Sequence, residues 1–489
     1  MPTSKPRTAF RLLTSTALAF SAALLSNAVP ADVFKSRETP ASQQARAGEP
    51  AFRALYKELV EINTTLSVGS CTQAVTAMKA RLLRAGYPDA DASIVIPPNR
   101  PKDGNLVALL PGTDLSLKPV LLLAHVDVVE ANRADWERDP FTLIEEDGYF
   151  YARGSADDKS MAAIFTDSMV RFRQEGYAPR RGVKLALTCG EETPNTFDGA
   201  RYLLENHRDL IDAAFALNEG GGGRLDGATG RYLYNGILAG EKLYQDFTLE
   251  TTNAGGHSSR PTPDNAIYDM ADALAKIHGF EFPAEFNDTT RRFFTRYGEI
   301  VGGALGADLK AAVAGDAAAI ARIEKDPSLN ASLRTTCVAT QLDGGHAKNA
   351  LPQHVSANVN CRIFPGHAPA EILETLMGVI ANPGVKVAFE SEPEKPGAPP
   401  KLTEEILGSV EALTEDMFPG VPVVPMQAAG ATDGRFLTPG GIPTFGVSGI
   451  FADPETTRTH GLNERMRVQS LLDGREFLYR LTKALADRK

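Results

Sequence analysis

Short, unbroken apolar runs separated by stretches of helical spacing constrain this chain most. "NLVALLPG", "PVLLLAHVDVV", "VKLALTC" and "AAFALN" carry few polar interruptions. Such runs suit strands buried on both faces, as in a parallel sheet. Between them, "DDKSMAAIFTDSMVRFRQEG" sets Met161, Ile164, Phe165, Met169 and Phe172 on one helical stripe that stops at Gly176. "AFRALYKELVEI" and "AVTAMKARLLRAG" repeat the helical spacing, the second halting at Gly86. Alternation of this kind predicts an α/β fold with a mostly parallel, doubly wound sheet and helices on both faces.

The pattern changes near residue 240. "YQDFTLETTN" and "VSANVNCRIF" alternate, with Val355, Ala357, Val359, Cys361 and Ile363 on one face, as in an antiparallel sheet with one open face. A helical stretch near 264–278 and an Ala-rich, helix-favouring segment near 304–324 lie between them. After the Pro-rich "EPEKPGAPPK" the first style returns with "IPTFGVSG". The predicted organisation is an α+β domain over 241–397 inserted into a discontinuous domain formed by 49–240 and 398–489.

Residues 1–31 read differently. Lys5, Arg7 and Arg11 precede the apolar run "LLTSTALAFSAALL" and the small residues of "SNAVPA". This is the pattern of a secretory signal peptide, with cleavage after Ala28 or Ala31. The run is short for a membrane span, so the mature protein is expected in the periplasm or outside the cell. Export permits disulfides, but four cysteines are sparse for 489 residues. Cys337 and Cys361 could pair, with buried free thiols as the preferred reading. A formal net charge of -10 argues against a nucleic-acid partner.

The chemistry gathers at the ends of the buried runs. "LLLAHVD" supplies His125 and Asp127, "ARGSADDK" Asp157 and Asp158, "LTCGEE" Glu191 and Glu192, and "FALNEGGGG" Glu219; "RTHGLNE" adds His460 far downstream. Open α/β sheets bind ligands beyond the carboxyl ends of their strands. Each residue alone has a plainer reading: a structural histidine, an N-cap aspartate, a loop glutamate. Together they would crowd unpaired acids on one rim. Imidazoles and carboxylates without thiolates suit zinc, or cobalt or manganese. There are too many for one four-coordinate ion, but two ions about 3.5–4 Å apart sharing a carboxylate would use them. One acid must then stay free to move a proton, so one of the adjacent glutamates ligates and the other acts as base.

"HVD", "ARGSADDK" and "GEE", in this order over nearly the whole mature chain, resemble the co-catalytic zinc family of aminoacylase, succinyl-diaminopimelate desuccinylase, acetylornithine deacetylase, glutamate carboxypeptidase and carnosinase, metallopeptidase family 20. The resemblance implies two metal ions per subunit. His125, Asp157 and Glu219 would hold one; Asp157, Glu192 and His460 would hold the other. It makes Asp157 the bridge, followed by a cis peptide to Asp158, with Asp127 orienting His125 and Glu191 as general base. "GGHSSRP" resembles the lid segment whose histidine, here His257, reaches the partner subunit's active site and stabilises the tetrahedral oxyanion. That implies a homodimer and makes the insert a lid and dimerisation domain. Asn349 and Arg362 match positions that hold the substrate's carboxylate, a task suited to the guanidinium fork. Gly430, in "GATDGRFL", matches a substrate-side glycine loop. Ser160 replaces a usual glycine, "ARG" replaces Gly-Arg-Gly, and the segment near 283–335 is longer than in compact members.

The expected activity is hydrolysis of an amide or peptide bond beside a free carboxylate, in an N-acyl amino acid or at the C-terminus of a short peptide. Glutamate at position 219 favours the carboxypeptidase or acylase branch, with a dipeptidase as the alternative. A non-catalytic, exported carboxylate-binding protein is the reading from another class. It should have lost a ligand or the base, and none is lost. His-Glu-x-x-His and Gly-x-Ser-x-Gly motifs are absent from the sequence.

Overall fold

Three of the four apolar runs, "PVLLLAHVDVV", "VKLALTC" and "AAFALN", become neighbouring parallel strands joined by "IPTFGVSG", whereas "NLVALLPG" pairs antiparallel at the margin. In the computed structural model, which describes residues 47–193, 196–453 and 457–488, the order is Val183–Thr188, Val120–His125, Phe215–Asn218 and Thr444–Gly446. All six residues of Val120–His125 are buried, as an unbroken apolar run demands. One face carries Leu122, Leu185 and Leu217 against Phe165, Phe172 and Phe477. The other carries Leu121, Leu123, Ala186 and Ala216 against Leu203, Leu437 and Ile442. Each such leucine contributes about 1.5–3 kcal/mol relative to an exposed one. The parallel register brings His125 level with Thr188, so both strands release their chains at one rim.

The flanks mix antiparallel pairings with parallel ones, the latter made by Val423–Ala428 and Phe451–Ala452. Asn105–Leu110 and Ala92–Val95 extend one side. On the other, Tyr232–Glu241 runs against Thr444–Gly446 and Gly222–Leu225. The ten-stranded sheet is thus parallel at its centre and mixed at its margins.

Residues 243–389 add a separate four-stranded antiparallel sheet, ordered Thr336–Gly344, His354–Ile363, Leu243–Thr252, Val385–Phe389. The strand His354–Ile363 alternates between buried and partly exposed positions, as its sequence predicts. Helices Ala266–His278 and Pro369–Ile380 cover the buried face through Met270 and Leu376. The Ala-rich segment is helical and belongs to four helices, Asp288–Val301, Gly303–Val313, Ala317–Ile323 and Pro327–Leu333. They share a small core around Phe294, Leu309 and Leu333. Arg296 ties them to the main sheet by donating to the Val423 carbonyl at 2.6 Å.

The cysteine reading is corrected. Both pairs are disulfides, Cys71–Cys189 and Cys337–Cys361, and the described residues hold no free cysteine. Cys337 and Cys361 face each other across adjacent strands, with Cα atoms 4.1 Å apart. The other pair spans 118 positions, a separation that carries no local signal. The basic leader and its cleavage site lie outside the described residues. Among those described, no helix is long and apolar enough to cross a membrane.

Candidate metal centre

His125 is the last residue of its strand, and the strand's end aims its imidazole at the rim. Its Nε2 lies 3.1 Å from Asp157 Oδ1 and 3.7 Å from Glu219 Oε1. From the other side, His460 Nε2 lies 3.2 Å from Asp157 Oδ2 and 2.9 Å from Glu192 Oε2. Asp157 therefore presents one oxygen to each histidine. Ligand atoms of His125, Asp157 and Glu192 lie within 4.8 Å of one another, and so do those of His125, Asp158 and Glu219. Asp158 is thus a candidate ligand that motif reasoning left without a role. It sits at the N-cap position of helix Lys159–Gln174, yet its side chain makes no capping bond. The Asp157–Asp158 peptide is cis.

The chain makes tight local arrangements to bring these groups together. Glu219 directly follows strand Phe215–Asn218 and is followed by Gly220 and Gly221 at φ 85° and 63°. A Cβ on Gly221 would lie 2.5 Å from the Gly446 carbonyl oxygen, so "EGGGG" is a close-packed turn that requires glycine. His460 itself is held at φ 60°. Asp127 connects two candidate ligands: its carbonyl lies 3.1 Å from His125 Nδ1, and its Oδ2 accepts the Glu192 N–H at 3.0 Å. Its carboxylate Oδ1 is 3.6 Å from His125 Nδ1, so the main-chain carbonyl makes the shorter contact.

Sequence reasoning missed Glu464, although "RTHGLNE" ends on it. This buried carboxylate accepts N–H bonds from Gly154 (3.1 Å), Ala156 (2.8 Å) and Asp157 (3.2 Å), and pairs with Arg153 at 2.7 Å. It thereby fixes the loop that carries Asp157. Asp433, buried against the Thr188 hydroxyl at 2.7 Å, was missed too. Its only sequence signal is its place in "GATDGRFL".

The electrostatics call for added positive charge. Burial, reinforced by Glu219, pushes the Glu191 carboxyl up to about 10. Burial raises Asp158 and Asp433 well above the usual range and raises Glu219 as well. Burial also opposes ionisation of Asp157, but hydrogen bonds from His125 and His460 outweigh it and hold that carboxyl low. Hydrogen bonds to Asp157 and Glu192 raise His460 to about 10. Oδ1 of Asp127, Oδ2 of Asp158 and Oδ1 of Asp433 are buried without hydrogen-bond partners. A crowded set of buried acids with oxygens left unpaired fits divalent cations. Imidazole and carboxylate donors suit zinc or a similar ion.

The two adjacent glutamates diverge. Glu192 reaches His460. Glu191 is influenced by Glu219, His125, Asp433 and Arg435, and its carboxylate is not among the clustered ligand atoms.

Of the remaining predicted residues, His257, Asn349 and Arg362 belong to the inserted segment, and Gly430 follows strand Val423–Ala428 of the main sheet. His257 is exposed on a two-residue strand paired with Ala350–Leu351, and its Nδ1 accepts from the Ser259 N–H at 3.2 Å. Asn349 is adjacent, its carbonyl accepting the Ser258 N–H at 3.1 Å. Arg362, on strand His354–Ile363, lies over the Tyr244 ring at 4.5 Å. Gly430 is exposed, and a Cβ there would meet nothing within 4 Å, so its position does not demand glycine through crowding.

The profile described as Peptidase family M20/M25/M40 matches residues 121–484. The human N-fatty-acyl-amino acid synthase/hydrolase is 27% identical over 449 residues, covering 90% of this chain and 89% of that protein. Rat aminoacylase-1A is 25% identical, covering 88% of this chain and 94% of its own length. Among solved structures, an M20 family metallo-carboxypeptidase from Sulfolobus solfataricus matches with a TM-score of 0.67 at 19% identity, over 89% of this chain and 99% of that one. That likeness establishes the fold.

Proposed function

Starting from a chain that belongs to peptidase family M20/M25/M40, we propose an exported, dinuclear metal hydrolase that cleaves an amide beside a free carboxylate. Its substrates would be N-acyl amino acids or short peptides cut at the C-terminus. One observation carries the reading: the two oxygens of Asp157 lie 3.1 and 3.2 Å from His125 and His460. With Glu219 beside the first histidine and Glu192 beside the second, the donors divide into two sets sharing one carboxylate. Two ions, zinc by donor chemistry, would be held by these sets. When bound, such ions lower the pKa of water and polarise the scissile carbonyl.

Glu191 is the general base of this reading. Its burial and its neighbour Glu219 give it a high proton affinity, and nearby cations would draw that affinity down towards neutrality. It takes the proton of the attacking water and returns it to the leaving nitrogen. Arg362 and Asn349 would anchor the substrate carboxylate, and exposed His257 would serve a partner subunit's site in a homodimer. The acyl branch is supported by two relatives named for acyl-amino acid chemistry, each covering about nine-tenths of this chain.

The test is a matched panel given to the metal-loaded protein: N-acyl amino acids, C-terminally free peptides, their C-terminal amides, and unblocked dipeptides. Cleavage of blocked acids but not of their amides supports the reading. Cleavage of unblocked dipeptides alone assigns the protein to dipeptide hydrolysis, and no cleavage removes the catalytic reading. Export is tested by N-terminal sequencing of the protein recovered outside the cytoplasm, which should begin after Ala28 or Ala31.

A further inference from the structure

Cys189 stands two positions before Glu191 and three before Glu192, and it is disulfide-bonded to Cys71. Cys71 opens helix Cys71–Arg84, whose N-cap Ser70 accepts the Gln73 N–H. That helix carries Val75, Met78 and Leu82 in the main core. The disulfide therefore fastens the start of the glutamate loop to an element that cannot shift without disturbing the core. Hydrogen bonds and the contact of Glu192 with His460 restrain the loop as well. The Cys189 N–H donates to Asn105 Oδ1 at 3.1 Å, the Gly199 N–H to the Cys189 carbonyl at 2.8 Å, and the Glu192 N–H to Asp127 at 3.0 Å. Gly190, at φ 100° between cysteine and glutamate, adds no side chain to hold the turn.

We propose that the Cys71–Cys189 disulfide is a positioning device for Glu191 and Glu192, so that full turnover requires it to be oxidised. The proposal rests on the catalytic reading above for the roles of the two glutamates. A small cavity of about 20 Å³, lined by both cysteines with Asp127, Gly190 and Thr193, lies against the bond. Loosening the bond therefore frees the segment beside the centre, next to unfilled space. Reduction by a dithiol breaks the S–S bond and leaves a proton on each cysteine sulfur, while the two dithiol sulfurs join. The catalytic helix–strand frame survives, but the glutamates lose their covalent reference. Displacing a catalytic group by about 1 Å costs up to a hundredfold in rate.

The Cys337–Cys361 bond joins two strands of the inserted sheet and serves as the control. Three proteins are compared at 25 °C: wild type, C71A/C189A and C337A/C361A. Turnover of the best panel substrate is measured, together with hydrogen exchange of the peptide covering 185–193. The expected result for C71A/C189A is a tenfold or greater fall in kcat, KM within about threefold, and faster exchange confined to that peptide. C337A/C361A should keep kcat within twofold. Should C71A/C189A fold poorly, wild type is reduced in place with dithiothreitol, alkylated, and checked by mass spectrometry for which bond opened. Unchanged kcat and unchanged exchange with the 71–189 bond open overturn the proposal. If oxidised wild type cleaves nothing in the panel, the catalytic reading fails instead, and the exchange result alone decides whether the bond restrains the loop.

Discussion

Glu464 Oε2 meets Arg153 Nη1 at 2.7 Å across 311 positions of sequence, with both side chains buried. The pair lies beneath the loop that delivers Asp157, and the same carboxylate accepts the Asp157 N–H. Glu464→Ala leaves a buried guanidinium and three main-chain donors without their acceptor. Breaking one partner of a buried pair costs about 3–5 kcal/mol. The expected outcome is a clearly lowered melting temperature together with weaker metal retention on dialysis. Glu464→Gln, which keeps an acceptor, should melt between the two. A normal melt with full metal content for the alanine variant would remove Glu464 from the construction of the site.

Glu191 and Glu192 should separate in a metal assay. Glu191→Gln is expected to abolish turnover with two ions still bound per chain, measured by elemental analysis. Glu192→Gln and His460→Ala should each lose about one ion. Loss of both ions on changing Glu191 would make it a ligand and exchange the proposed roles.

His257 makes its side-chain contact with neighbouring Ser259 and faces solvent in the single chain. If it completes a second subunit's site, His257→Ala should lower kcat by about 10²–10³, the usual cost of losing an oxyanion donor, with a small change in KM. Mixing this variant with Glu191→Gln should restore part of the activity, because each mixed dimer regains one complete site. A monomer by sedimentation, with normal kcat for His257→Ala, would exclude action between subunits.

A pH effect is expected at His367. Its two ring nitrogens lie 2.9 Å from Glu285 and Glu371, and these hydrogen bonds raise it above its ordinary value of 6.5. A histidine raised on folding contributes stability that is complete below about pH 6.5 and fades as pH rises through the folded value. Thermal melts of wild type and His367→Gln should therefore differ most at acid pH and converge at alkaline pH. The difference should be small, because the group is largely solvated. A gap that widens with rising pH would contradict this sign.

The frame and the gathering of histidines and acids at one rim were legible in the sequence for one physical reason. A strand buried on both faces is largely apolar, so the polar residues at its carboxyl end stand at the rim. His125 after "LLLA" and Glu219 after "FALN" follow that rule. Alternation in "VSANVNCRIF" marked the inserted sheet for the same reason. Glu464 and Asp433 were not legible, because their burial depends on partners hundreds of positions away. The disulfide between Cys71 and Cys189 is similar: only the packed fold shows that two helix- and strand-end cysteines meet. Gly430 shows the limit of reading by motif, since its surroundings are open.

Asp157 acquires its second histidine from His460, after the whole inserted sheet and its helices. A chain synthesised from its amino terminus therefore passes about half of its synthesis with His125, Asp157, Glu192 and Glu219 made but His460 and Glu464 still missing. Each unfinished chain is a half-built centre, without the second imidazole and without the carboxylate that steadies the bridging loop. Timing thus belongs to the design: the cluster around Asp157 can be completed only after the inserted segment has been made and the chain has returned to the first sheet.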